Sequence, residues 1–210
     1  MRTAALAILL LCTLAVPGRA QDAPSYRALL ARAQAGDTTV SFTALRQAWA
    51  ASPEYAPYGS GADKHADSLE VALGRRDWAR AVREADAALA VTWLDATTHA
   101  MKAYAVEQMG DTAAAERERA VARRLVESVT ESGDGTERSP YVVVTVAEEY
   151  AVLAVARLRR GSQTRGNCGQ RECDVLEATD PGTGKKYVLY FDITLPFAHL
   201  GRMLQGAGKP

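Results

Sequence analysis

The chain is poor in histidine and cysteine, with three of each in 210 residues, and it carries no excess charge of either sign, 25 basic residues standing against 25 acidic ones. Each shortage closes off a class of function. A balanced charge leaves no basic face for nucleic acid. After residue 12 the only cysteines are Cys168 and Cys173, and no zinc-finger spacing links them to His65, His99 or His199. No metal and no cofactor are expected. Beyond residue 16 no apolar run is long enough to cross a bilayer, so the mature form should not insert in a membrane. No serine or cysteine is placed recognisably as a nucleophile beside a histidine base, and no catalytic residue is assigned.

One nucleotide-like motif also falls away. Residues 180–185 read Asp-Pro-Gly-Thr-Gly-Lys, close to the end of a phosphate-binding loop. That motif needs glycine where Thr179 stands, serine or threonine where Lys186 stands, and a helix to follow. A strand is expected there instead, and Pro181 and Gly182 suit a hairpin turn.

What is present begins with an export signal at residues 1–20. Arg2 gives the positive start, residues 4–16 are apolar, Pro17 breaks the run, and cleavage is expected after Ala20. A lipoprotein signal using Cys12 is the alternative, disfavoured by the bulky Leu11 before it. The mature protein is then periplasmic or secreted. Losing Arg2 and Arg19 with the signal leaves 23 basic residues against 25 acidic, a net charge of about −2. In an oxidising compartment Cys168 and Cys173 are a disulfide candidate, with free thiols or a metal site as alternatives. The alanine content and 20 arginines to five lysines suggest a GC-rich bacterial genome.

Residues 21–130 read as helical. A short helix at 25–35 places Tyr26, Leu29, Leu30 and Ala33 on one face. Ser41 can cap a second helix carrying Phe42, Leu45 and Trp49, which Pro53 ends. Residues 54–61 form an aromatic loop containing Tyr55 and Tyr58. Two helical hairpins then fill residues 63–130. Asp77, Asp95 and Gly110-Asp111 mark helix starts; Trp78, Val82 and Leu89 lie on one inner stripe, and Ala96, Ala100, Ala103 and Tyr104 on another. Asp77 and Asp111 stand 34 residues apart, as do Ala81 and Ala115, a period that resembles tetratricopeptide repeats. Arg76 replaces the expected glycine and Thr112 the expected aromatic.

Residues 131–205 read as a small α+β region, with residues 206–210 a flexible tail. The run at 141–146 suits a buried strand, residues 147–158 a helix, residues 159–169 a polar loop, and residues 174–179 and 187–193 two further strands. A closing helix starts near Pro196 with Phe197, Leu200 and Leu204 inward. The fold class is therefore α+β: helical hairpins followed by an antiparallel sheet of about three strands with packed helices.

Candidate binding residues are few. Arg46, Tyr55 and Tyr58 combine arginine with aromatics, the usual anchors of binding surfaces, although Trp49 beside them suits a core and the tyrosines could simply pin the loop. Glu148 and Glu149 point about 100° apart on a helix, so they do not form an acid–base pair, but Glu149 or Tyr150 could line a cleft.

Several stretches together resemble a bacterial exported family known only as domain of unknown function 4919. They are residues 42–46 with Pro53-Glu54-Tyr55 and Pro57-Tyr58; Gly133-Asp134-Gly135; Tyr141-Val142-Val143 with Glu148-Glu149-Tyr150; and residues 174–177 through Asp180-Pro181 and Gly184 to Leu189-Tyr190-Phe191. The resemblance implies an exported protein with repeat-like helices and a β-containing end, and no established activity. The expected function is a non-enzymatic protein- or peptide-binding module. The alternative is a small periplasmic hydrolase-like enzyme whose cleft gathers Arg46, Tyr58, Glu149 and Tyr150 between the helical and β lobes.

Overall fold

A computed structural model describes residues 25–58 and 61–207. The export signal expected at residues 1–20 lies outside them, as do residues 208–210. Eight helices and a four-stranded mixed sheet make up the described fold, which is α+β.

The helical part follows its local signals closely. Helices α1 (Tyr26–Gln34) and α2 (Phe42–Ala50) start where Ser25 and Ser41 accept the backbone N–H of Ala28 and Ala44. The next four are α3 (Asp63–Gly74), α4 (Trp78–Val91), α5 (Ala96–Gln108) and α6 (Thr112–Thr130). Asp77, Asp95 and Asp111 cap the last three by accepting first-turn N–H groups, which satisfies donors that have no partner inside the helix. Each of these four helices packs on the next.

The 34-residue period is visible in the backbone. Arg76 and Gly110 precede the caps of α4 and α6, and both take the left-handed conformation, with φ of 57° and 89°. Arginine therefore does at Arg76 what glycine does at Gly110, at some conformational cost. Ala81 and Ala115, also 34 apart, are both fully buried. Small residues let the helices approach closely: Leu69, Ala72, Ala81, Ala85 and Ala105 form one compact cluster, flanked by the partly buried Trp78 and Val82. The inner face of α5 differs from expectation. Ala100 is exposed and Tyr104 half exposed, held at the edge by a T-shaped contact with Trp78. Ala96 and Ala103 are buried as expected, joined by His99 and Val106.

After α6 come β1 (Tyr141–Val142), α7 (Val146–Val155), β2 (Arg159–Cys168), β3 (Arg171–Thr179), β4 (Lys186–Asp192) and α8 (Thr194–Ala207). Strand order is β1-β4-β3-β2; β2, β3 and β4 run antiparallel and β1 lies parallel to β4. The sheet is thus four-stranded and mixed, not a three-stranded antiparallel one. Residues 159–169, read from sequence as a loop, hold the long edge strand β2. Its side chains are almost all exposed, so it carries no apolar alternation, and main-chain pairing to β3 holds it instead. The apolar run at 141–146 contributes only two ladder residues, because Val143 and Val144 bend out of the strand to start α7. The Val143 N–H donates to the carbonyl of Asp192, and the Val144 N–H to Glu148 Oε2.

Cys168 and Cys173 form a disulfide that ties the end of β2 to the start of β3. The principal core draws on both halves of the chain: Leu45, Val129, Val143, Leu176 and Phe191 are all nearly or fully buried. Phe197 packs against it, but Leu204 of α8 is exposed, contrary to its expected inward position. No described helix is long and apolar enough to cross a membrane.

Candidate functional site

The expected cluster of Arg46, Tyr58, Glu149 and Tyr150 divides in two. Arg46 stands on the core face of α2 and is 3% exposed. Its guanidinium grips Glu148 through two hydrogen bonds of 2.7 Å and donates to the carbonyls of Ser128 and Val142 at 2.9 Å. All its directions are taken up inside the protein. Tyr55 is also buried: it meets Trp49 and His199 edge-on, and its hydroxyl donates to the Val144 carbonyl at 2.7 Å. Burial raises its phenol well above the ordinary value, helped by the negative charge of Glu148. Arg46 thus fastens α2 to α7, and Tyr55 fastens the loop after α2 to the turn before α7, so both side chains are spent on internal partners.

Tyr58, Glu149 and Tyr150 do gather around a second carboxyl, Asp174 of β3. Gln163 of β2 is the bridge. Its Nε2 donates to Asp174 Oδ2 at 2.8 Å and to Glu149 Oε2 at 3.3 Å, while the Tyr150 hydroxyl donates to its Oε1 at 2.8 Å. Glu149 is fully buried, and its Oε1 has no hydrogen-bond donor. Burial first, then the charge and hydrogen bond of Asp174, then Glu148, push its carboxyl up to about 9. The Tyr58 phenol is raised by burial and by the same two carboxyls, Asp174 and Glu149. A proton held by Glu149 and shared with Asp174 relieves both the orphaned oxygen and the like-charge repulsion. Such an acid could in principle donate its proton in catalysis. With no surface of its own, however, Glu149 cannot touch a substrate in this conformation. A cavity of about 140 Å³ nearby, between Trp49, Leu94 and Glu148, is smaller than the roughly 300–1,000 Å³ of ordinary ligand sites.

An open groove on the helical side has the size that this region lacks, about 590 Å³. It runs between the end of α1, the start of α2, and helices α4, α5 and α6. Its aromatic floor is Phe42 and Trp93, with ring centroids 6.1 Å apart, and Trp93 in turn meets His99 edge-on at 5.1 Å. His99 is buried, with Nε2 at 2.9 Å from the Trp93 carbonyl and Nδ1 at 2.6 Å from Glu118. Lys102 bridges Glu118 and Asp86 at 2.6 and 2.8 Å. Burial works to raise the Glu118 carboxyl, but hydrogen bonds from His99 and Lys102 and the Lys102 charge outweigh it and hold the group below its usual value. The Arg124 guanidinium lies 4.1 Å from the Phe42 ring centre and donates to the carbonyls of Thr38 and Val40.

Sequence reading missed these groove residues, as it missed Gln163 and Asp174. One signal was available. Arg117, Val121 and Arg124 recur at i, i+4 and i+7 on α6, which sets two arginines on either side of an apolar residue. Among the described residues no three histidine, cysteine or carboxylate side chains converge to hold a metal.

The family model described as a domain of unknown function (DUF4919) matches residues 19–200, so the chain belongs to that family. No curated protein and no solved structure shows a significant match.

Proposed function

We propose that the protein is an exported, non-enzymatic docking module that holds a protein or peptide in the helical groove. The observation that carries this reading is the openness of the groove: residues 33–124 line all of it, and the C-terminal sheet leaves it uncovered. Its volume falls in the range of ordinary ligand sites, and its aromatic floor supplies the anchors on which binding energy concentrates. The paired helices with their 34-residue period resemble tetratricopeptide repeats, and stacked pairs of that kind present concave binding surfaces. The disulfide and the lack of a membrane-crossing helix among the described residues are compatible with a periplasmic or secreted location.

A photo-crosslinking residue in place of Ala90, which is exposed in the groove, tests this in the native host; the same residue at Val188 on the sheet is the control. An adduct at position 90 alone, lost when Trp93→Ala is added, is expected. Equal adducts at both positions, or none at either, would overturn the reading.

A second reading, a small hydrolase-like enzyme, has one observation behind it: Tyr58, Glu149 and Tyr150 meet around Asp174, and burial pushes the Glu149 carboxyl up to about 9. It requires an opening movement that uncovers Glu149. Turnover of a hydrolysable substrate that Glu149→Gln abolishes would establish it.

A further inference from the structure

We infer that the groove accepts an extended, acidic segment of a partner, with two carboxylates about three residues apart and an apolar side chain between them. The inference rests on the docking reading above and adds the chemistry of the occupant.

Charge accounting leads to it. Three fixed cations, Lys102, Arg117 and Arg124, line the groove against two carboxylates, Asp86 and Glu118. Both carboxylates are already bonded from within, Asp86 to Lys102 and Glu118 to Lys102 and His99. Arg117 and Arg124 have no carboxylate partner among the described residues; Arg119, outside the groove, pairs with both Glu107 and Glu116. Three cations against two carboxylates leave a net charge of +1 facing the groove, and the cations without a carboxylate partner are two arginines, whose planar guanidinium groups suit bidentate carboxylate binding.

Spacing sets the register. Arg117 and Arg124 lie two turns apart on one face of α6, about 10 Å along the axis. A chain in the extended polyproline II conformation, with three residues per turn and about 3.1 Å per residue, covers the same distance in one turn, so side chains three residues apart share a face. The apolar side chain between the two carboxylates then meets Val121 and the Phe42–Trp93 floor.

Three fluorescein-labelled nonapeptides of extended design, titrated into the full chain, test the inference. The first carries glutamates three residues apart around a phenylalanine; the others carry serine or lysine in place of glutamate. The glutamate peptide should bind tightest and weaken as salt rises from about 0.05 to 0.5 M. Arg117→Ala should weaken it about five-fold and Arg117→Glu about ten-fold or more, with thermal melts unchanged because Arg117 has no internal partner to lose. Equal binding of the serine peptide, or tighter binding of the lysine peptide, overturns the acidic assignment while a peptide-binding groove survives. Failure of all three to bind also overturns it. In that case a crosslink at position 90 that depends on Trp93 still upholds the docking reading, and its absence removes that reading too.

Discussion

Arg46 on α2 and Glu148 on α7 stand 102 residues apart in sequence and meet in the interior, with Nε on Oε1 and Nη2 on Oε2, each at 2.7 Å. The contact welds the helical region to the region that follows it. Both side chains are almost fully buried, so water screens the pair very little. Removing one partner strands the other charge in a low-dielectric site, which typically costs about 3–5 kcal/mol. Arg46→Ala should therefore lower the stability measured in urea by about that amount. Arg46→Met with Glu148→Leu, which removes both charges and keeps volume, should cost much less. Equal losses for the single and double variants would mean that packing, and not the charge, is what matters there.

Glu149 gives the protein a stability that falls with rising pH. Its carboxyl titrates at about 9 when folded, far above the usual carboxylate value. Below pH 4 both states hold the proton and the group contributes no slope. Between about pH 4.5 and 9 the folded state binds more protons than the unfolded one, so stability declines, by at most about 1.4 kcal/mol per pH unit from this group. Above pH 9 the decline stops. Glu149→Gln should flatten the profile over that window, and a series of urea melts from pH 5 to 9 checks it. An unchanged slope would mean that Glu149 is ionised when folded.

The disulfide should matter only modestly. It closes a loop of about six residues at the tip of the β2–β3 hairpin, for which chain entropy predicts roughly 2 kcal/mol. The hairpin already orders the same loop, so the measured loss should be smaller. Replacing both Cys168 and Cys173 by serine should shift the thermal midpoint by only a few degrees. Complete unfolding on reduction would show that β2 cannot hold to β3 by its ladder alone.

Two glycines between α6 and β1 have no room for a side chain. A Cβ on Gly133 would stand 2.4 Å from the Pro140 carbonyl oxygen, and one on Gly135, at φ +75°, would stand 2.6 Å from the Tyr141 ring. Gly133→Ala and Gly135→Ala should each cost more than about 1 kcal/mol. Gly74→Ala, at the end of α3 with nothing within 4 Å, should be neutral or slightly stabilising by the same melts.

Legibility in the sequence tracked the physics of each element. Helix starts were readable because Ser41, Asp77, Asp95 and Asp111 act locally, within three residues of the N–H groups they cap. Strand β2 was not, because an exposed edge strand needs only main-chain partners, and Arg159 through Gly166 resemble any polar loop. Arg46 was misassigned although its position held the answer. Phe42, Leu45, Arg46 and Trp49 form one i, i+3, i+4, i+7 stripe, so an arginine there points inward and requires a buried anion. Of the expected group Arg46, Tyr58, Glu149 and Tyr150, the last three lie near one another and Arg46 does not join them. Gln163 and Asp174, which complete their cluster, reach it only through strand register, and no local pattern encodes that.

The parallel pairing of β1 with β4 bears on how the chain reaches its native state. Tyr141 aligns with Phe191, and Phe191 is fully buried in the core that Leu45 and Val129 share. A growing polypeptide halted before β4 lacks that piece, however complete its helices are. Closure of the main core must therefore wait until β4 has been synthesised, since long-range contacts of this kind form only after their loops close. Until then that shared interior lacks Phe191, the bulkiest of its fully buried side chains.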